Sequence, residues 1–144
     1  MTPEQVDVVR SSFEVVADRA DDAARHFYKK LFSIAPEVRP MFTSDMKAQG
    51  RMFVSMLSNV VDRLDRPEEI APLLEGLAIR HRDYGVRPEH YGPVGAALLY
   101  AIAYVHQDEF NREIRGAWVE AFSLLANGMI ESAENQVFSS TAAE

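Results

Sequence analysis

The chain has 144 residues, 47% of them hydrophobic, and a formal net charge of −7. That length suits one domain with a sizeable core, and no apolar run reaches the about eighteen residues a membrane span needs. The acidic balance argues against nucleic acid, which requires clustered Lys and Arg, while the lack of any cysteine excludes disulfides, thiolate metal sites, iron–sulfur clusters and C-x-x-C-H cofactor attachment.

Thr2, Pro3 and Gln5 have the pattern of a capped helix start, and Val6, Val9, Phe13, Val16 and Ala20 continue it at helical spacing. A second stripe runs through Ala24, Phe27, Tyr28 and Leu31. Pro36 suits the first turn of a helix and Pro40 limits its length, so 36–42 is predicted as a short, tight helix. Phe53, Met56, Leu57, Val60, Val61 and Leu64 form the cleanest stripe, and Gln49 lies one turn earlier on the same face.

The "DRPEEI" segment breaks the chain and starts a helix whose apolar side carries Leu73, Leu74, Leu77, Ala78 and then His81. Gly85 is predicted to end it. Pro88 begins a helix with Tyr91, Val94, Leu98, Leu99, Ile102 and Val105 inward, and a last helix carries Ile114, Trp118, Phe122, Leu125 and Met129. Seven helical segments and no strand alternation make an all-α domain, with "SSTAAE" at the end expected to fray.

No H-E-x-x-H, phosphate-cradling glycine loop or nucleophile elbow occurs. What remains are polar residues set into apolar faces, each of which needs a partner. His81 is one; by periodicity alone it is a hydrogen-bonded core residue more often than a ligand. Tyr28 reads as a packing anchor or a directed hydroxyl, and Gln49 as a solvent-facing or an inward amide. Gly50, next to Gln49, loosens the backbone there. His26, His90 and His106 fall off the main stripes and are expected at the surface.

Together these residues form a pattern. "HFYKKLFSIAPEVRPMF", "RHRDYGVRPEHYGPVGAALL" and "GAWVEAFSLLANGMI" resemble the second and third helices, the proximal-histidine stretch and the last helix of the globins. The chain is most similar to bacterial single-domain globins and the haem domain of flavohaemoglobins, from about Thr2 to Phe138. The resemblance implies a three-over-three helical sandwich around a haem pocket, a globin domain over 1–138 and a frayed tail over 139–144.

It further implies haem b (iron protoporphyrin IX), held non-covalently, with His81 as proximal iron ligand and Phe42 packed on the porphyrin. Phe53, Met56, Leu77, Val86, Tyr91, Val94 and Leu98 would complete the cofactor-binding wall, and Tyr28 with Gln49 would be the distal pair. A tyrosine hydroxyl and a glutamine amide aimed at bound oxygen would each contribute roughly 1.5–3 kcal/mol, slowing its release. Tyr91 matches the tyrosine flanking the proximal histidine in flavohaemoglobins. Their last-helix glutamate is replaced by Ala133, with Glu131 and Glu134 expected on other faces, so a weak electronic push on the imidazole is predicted.

The leading expectation is reversible binding of oxygen, and of nitric oxide and carbon monoxide, at a five-coordinate iron. The alternative is nitric oxide dioxygenase. The chain ends after the globin-like part, so turnover would draw electrons from a separate reductase. A haem-free sensor module is the third reading, against which Phe42 and His81 argue. A cytoplasmic monomer or homodimer, with no membrane or nucleic-acid partner, is expected; the N-terminus has no basic stretch and apolar block of a signal peptide.

Overall fold

Thr2 opens the first helix with the reciprocal cap its sequence encodes. Its hydroxyl accepts from the Gln5 N–H at 3.1 Å, and the Gln5 carboxamide accepts from the Thr2 N–H at 2.8 Å. In the computed structural model α1 spans Pro3–Asp18, α2 Ala20–Ile34, α3 Met46–Asp62, α4 Pro67–Asp83, α5 Tyr91–His106 and α6 Arg112–Ala143. Short 3-10 helices cover Pro36–Met41, Pro88–His90 and Gln107–Glu109. The structure describes residues 1–43 and 45–143, with side chains described up to 134. The tail expected to fray, 139–144, lies outside the residues whose side chains are described.

The helices form the expected two layers of three. Helix α2 packs on α5 and α3, α4 on α6, and α1 on α6 and α3, while α3 and α4 make no extended contact with each other. Trp118, Leu31, Ile102, Val9 and Val60 are the largest fully buried side chains. The buried Trp118 indole N–H donates to Ser12 Oγ at 2.8 Å, and that hydroxyl donates to the Val8 carbonyl at 2.7 Å. One buried hydroxyl thereby satisfies the indole and ties α6 to α1.

Arg10 joins α1 to the end of α3. Its guanidinium donates to the carbonyls of Val61 (3.3 Å) and Asp62 (2.8 Å) in the last turn of α3, where carbonyls lack the regular helical donors four residues on. It also donates to the Asp65 carboxylate at 2.8 Å, a hydrogen bond that holds this carboxyl below the usual aspartate range.

Gly85 ends α4 as predicted, with φ at +88°. The Gly85 N–H donates to the Arg82 carbonyl at 3.0 Å and the Val86 N–H to the His81 carbonyl at 3.0 Å. This is a Schellman closure, and only a residue without a Cβ takes that φ cheaply. It fixes His81 in the last turn of a well-terminated helix.

Of the three histidines expected at the surface, His106 is buried while His26 and His90 are partly covered. His106 is 7% exposed; its Nδ1–H donates to the Ile102 carbonyl at 2.8 Å. The spacing of four from Ile102 puts it on that buried face, a periodicity visible in the sequence. His26 is half-buried and stacks on Tyr104 with ring centroids 3.6 Å apart. His90 is also half-buried, its Nδ1 accepting from the Arg87 N–H at 2.9 Å.

Candidate functional site

Helices α2 and α3 cross at Ala24 and Gly50, where a Cβ on Gly50 would lie 2.9 Å from the Ala24 Cβ. Gly50 is buried there, so its role is to permit close approach and not to loosen the chain. One turn along each helix the side chains meet. Phe27 stacks on Phe53, centroids 4.3 Å apart and planes 11° from parallel. The Gln49 amide Nε2–H donates to the Tyr28 hydroxyl at 3.4 Å, a long bond. Gln49 is half-buried against Tyr28.

Tyr28 is 6% exposed and stands inside an aromatic cluster. Phe42 meets it edge-on at 5.3 Å, Phe53 at 6.0 Å, and Phe32 lies tilted at 5.8 Å. Burial pushes the phenol above its ordinary value near 10, and the Gln49 hydrogen bond offsets this in part. The hydroxyl therefore keeps its proton. With its oxygen accepting from Gln49, that proton is left to donate. Phe32, which also meets Phe42 at 5.4 Å, escaped the sequence reading; its spacing of four from Tyr28 was the available signal.

On α4, His81 is half-buried and its Nδ1–H donates to the Leu77 carbonyl at 2.7 Å. That bond selects the tautomer whose Nε2 carries the free lone pair, the arrangement a metal-ligating imidazole requires. The acceptor is a neutral carbonyl and not a carboxylate. The Tyr91 ring lies 6.4 Å from the His81 ring and 29° from parallel. Tyr91, Val86, Ala133 and Glu134 line one cavity on the α6 side of α4. Ala133 thus shares a wall with Tyr91, and Glu134, expected on another face, shares it too.

Leu77 and Leu98 are buried, whereas Phe42, Phe53, Met56, Val86, Tyr91 and Val94 are only partly so. Large apolar side chains left only partly covered on α3, on α5 and at Phe42 and Val86, with no extended contact between α3 and α4, leave room for an apolar ligand. The donor set fits a haem: one imidazole with a free Nε2, apolar walls, and two hydrogen-bond donors in the aromatic cluster. Among the described residues no cluster of three or more His, Cys, Asp and Glu could hold a bare metal ion.

Comparison with known proteins gives a consistent answer. The family model described as Globin matches residues 25–129. The chain is 29% identical to a flavohemoprotein of Halalkalibacterium halodurans over 91% of its own length and 33% of that protein's. It is 31% identical to one of Rhizobium meliloti, over 88% and 32% respectively. It therefore spans about a third of the length of these relatives. A bacterial globin from Campylobacter jejuni superposes with a TM-score of 0.83 at 26% identity, covering 94% of this chain and 99% of that one.

Proposed function

The chain belongs to the globin family, and from that premise we propose that it binds haem b between α3 and α4 and uses it to bind oxygen reversibly. Haem iron held by one imidazole supplies an open coordination position for a diatomic molecule. Haem and gas binding accord with the family; the assignment to oxygen, and of each residue's part, is our reading. The observation that carries it is the pairing of His81, with Nδ1–H committed to the Leu77 carbonyl, and Tyr28, with its oxygen accepting from Gln49.

In this reading His81 would offer Nε2 to the iron while the Leu77 carbonyl fixes the plane of its ring. Phe42, Phe53, Met56, Leu77, Val86, Tyr91, Val94 and Leu98 wall the porphyrin. Tyr28 donates its hydroxyl proton toward the diatomic ligand, and Gln49 holds the phenol oxygen in place. The surrounding phenylalanines exclude water, so a hydrogen bond there is stronger than in solvent. A hydrogen-bond donor at that position would favour a diatomic ligand that gathers negative charge, such as oxygen, over carbon monoxide.

The second reading is nitric oxide dioxygenase with a separate reductase, favoured by the flavohemoprotein relatives. Optical spectra of purified protein, ferric, reduced, and reduced with oxygen or carbon monoxide, test haem binding; absence of a Soret band under ample haem supply refutes it. Steady consumption of nitric oxide with NADH and a reductase favours the second reading, and its absence alongside a stable oxygen complex favours the first.

A further inference from the structure

On α4, Leu77 and His81 share one face, and Ala78 and Arg82 lie one residue on, about 100° round the helix. That second face turns toward α6 and borders a cavity of about 450 Å³, within the roughly 300–1,000 Å³ typical of small-molecule sites. Its apolar walls include Ala78, Pro88, Met129, Ile130 and Ala133. His81, Tyr28 and Phe42 are not among the lining residues, so this space is separate from the distal cluster.

The polar groups at the cavity are mostly donors. Tyr91 lines it, and its hydroxyl makes no hydrogen bond to a described residue. Arg82 and Arg87 line it too, with only loose ion pairs, to Asp83 at 3.6 Å and to Glu89 at 3.9 Å. Most of their ten N–H donors, five on each guanidinium by about the usual count, have no acceptor among the described residues. Of those residues, Glu134 is the one carboxylate in the lining. An apolar chamber with two guanidiniums and a phenol complements a molecule with an apolar body and one anionic head.

We propose that this cavity is a binding site for an amphipathic monocarboxylate, its tail against Met129, Ile130 and Ala133 and its carboxylate on Arg82, Arg87 and the Tyr91 hydroxyl. Val86 and Tyr91 belong both to this lining and to the porphyrin wall proposed above, whereas Arg82, Arg87, Met129, Ile130 and Ala133 belong to the cavity alone. Because Tyr91 also packs along His81, occupancy is reported to the imidazole through that ring.

The test titrates the protein as purified with octanoate, followed by calorimetry and by methyl NMR. Saturable binding is expected, with shifts at the methyls of Val86, Met129 and Ile130. The Arg82→Ala/Arg87→Ala double variant should weaken it at least tenfold, 1-octanol should bind at least tenfold more weakly than octanoate, and Glu134→Gln should tighten it. Both arginines are surface residues, so the double variant keeps its fold, and circular dichroism checks this. Failure to saturate, shifts confined to the Met56 methyl, equal affinity for the alcohol, or an unchanged double variant each overturns the proposal. None of these readouts uses the Soret band, so failure here and failure of the haem reading are told apart.

Discussion

Ala24 and Gly50 touch with no room for a Cβ on the glycine, which would lie 2.9 Å from the Ala24 Cβ. This contact sets the spacing of α2 and α3, and hence whether Gln49 reaches the Tyr28 hydroxyl. Gly50→Ala gains helix propensity of about 1 kcal/mol but forces the helices apart at a cost of about 1–3 kcal/mol. We expect net destabilisation in urea unfolding. Ala24→Gly added to it should restore much of the loss, because the cavity it opens accepts the new methyl.

Tyr28→Phe removes the proposed donor while keeping the ring in its cluster. Stopped-flow oxygen release should speed by about ten- to a hundred-fold, the equivalent of one charge-assisted hydrogen bond. Carbon monoxide release should change far less. Equal acceleration of both ligands would point to altered packing and not to a lost hydrogen bond.

The proximal side bears on redox behaviour. His81 Nδ1–H donates to a neutral carbonyl, Ala133 supplies no carboxylate beside Tyr91, and Glu134, which shares that cavity, hydrogen-bonds to neither ring. The imidazole should therefore be a modest electron donor. The iron–histidine stretching frequency is expected below that of flavohaemoglobins, with weak peroxidase turnover. Ala133→Glu should raise both if its carboxylate reaches the ring pair.

Ser12→Ala leaves the buried Trp118 indole N–H without its acceptor. Stranding a buried donor costs about 1–3 kcal/mol. The variant should unfold at correspondingly lower urea, read from the fluorescence of Trp118, the single tryptophan.

Burial raises the phenols of Tyr28 and Tyr91 above their ordinary value. The folded chain thus holds these protons more tightly than the unfolded chain. Their contribution is fully present below about pH 10 and is lost as pH rises through the folded values. Near-ultraviolet tyrosinate absorbance should show Tyr28 and Tyr91 titrating late, and urea midpoints should fall above about pH 10.

Much of this architecture is written locally. Thr2 with Gln5 caps α1, Gly85 closes α4, and the stripe from Leu73 through Leu77 puts His81 on an inward face, because capping, glycine φ and 3.6-residue periodicity each act within a turn or two of chain. Contacts between distant segments are not written that way. Periodicity gives the face of a helix but not its neighbour, so Gly50 read as a loosening residue until α2 lay against it, and Glu134 read as facing elsewhere until α6 crossed α4. His106 lay on the Ile102 face all along, yet a polar residue at a helix end gives no local sign of being covered. Local chain chemistry therefore sets the helices and their ends, while the crossing of α2 with α3 and of α4 with α6 sets which side chains meet, since those meetings depend on packing across 20 residues or more of intervening chain.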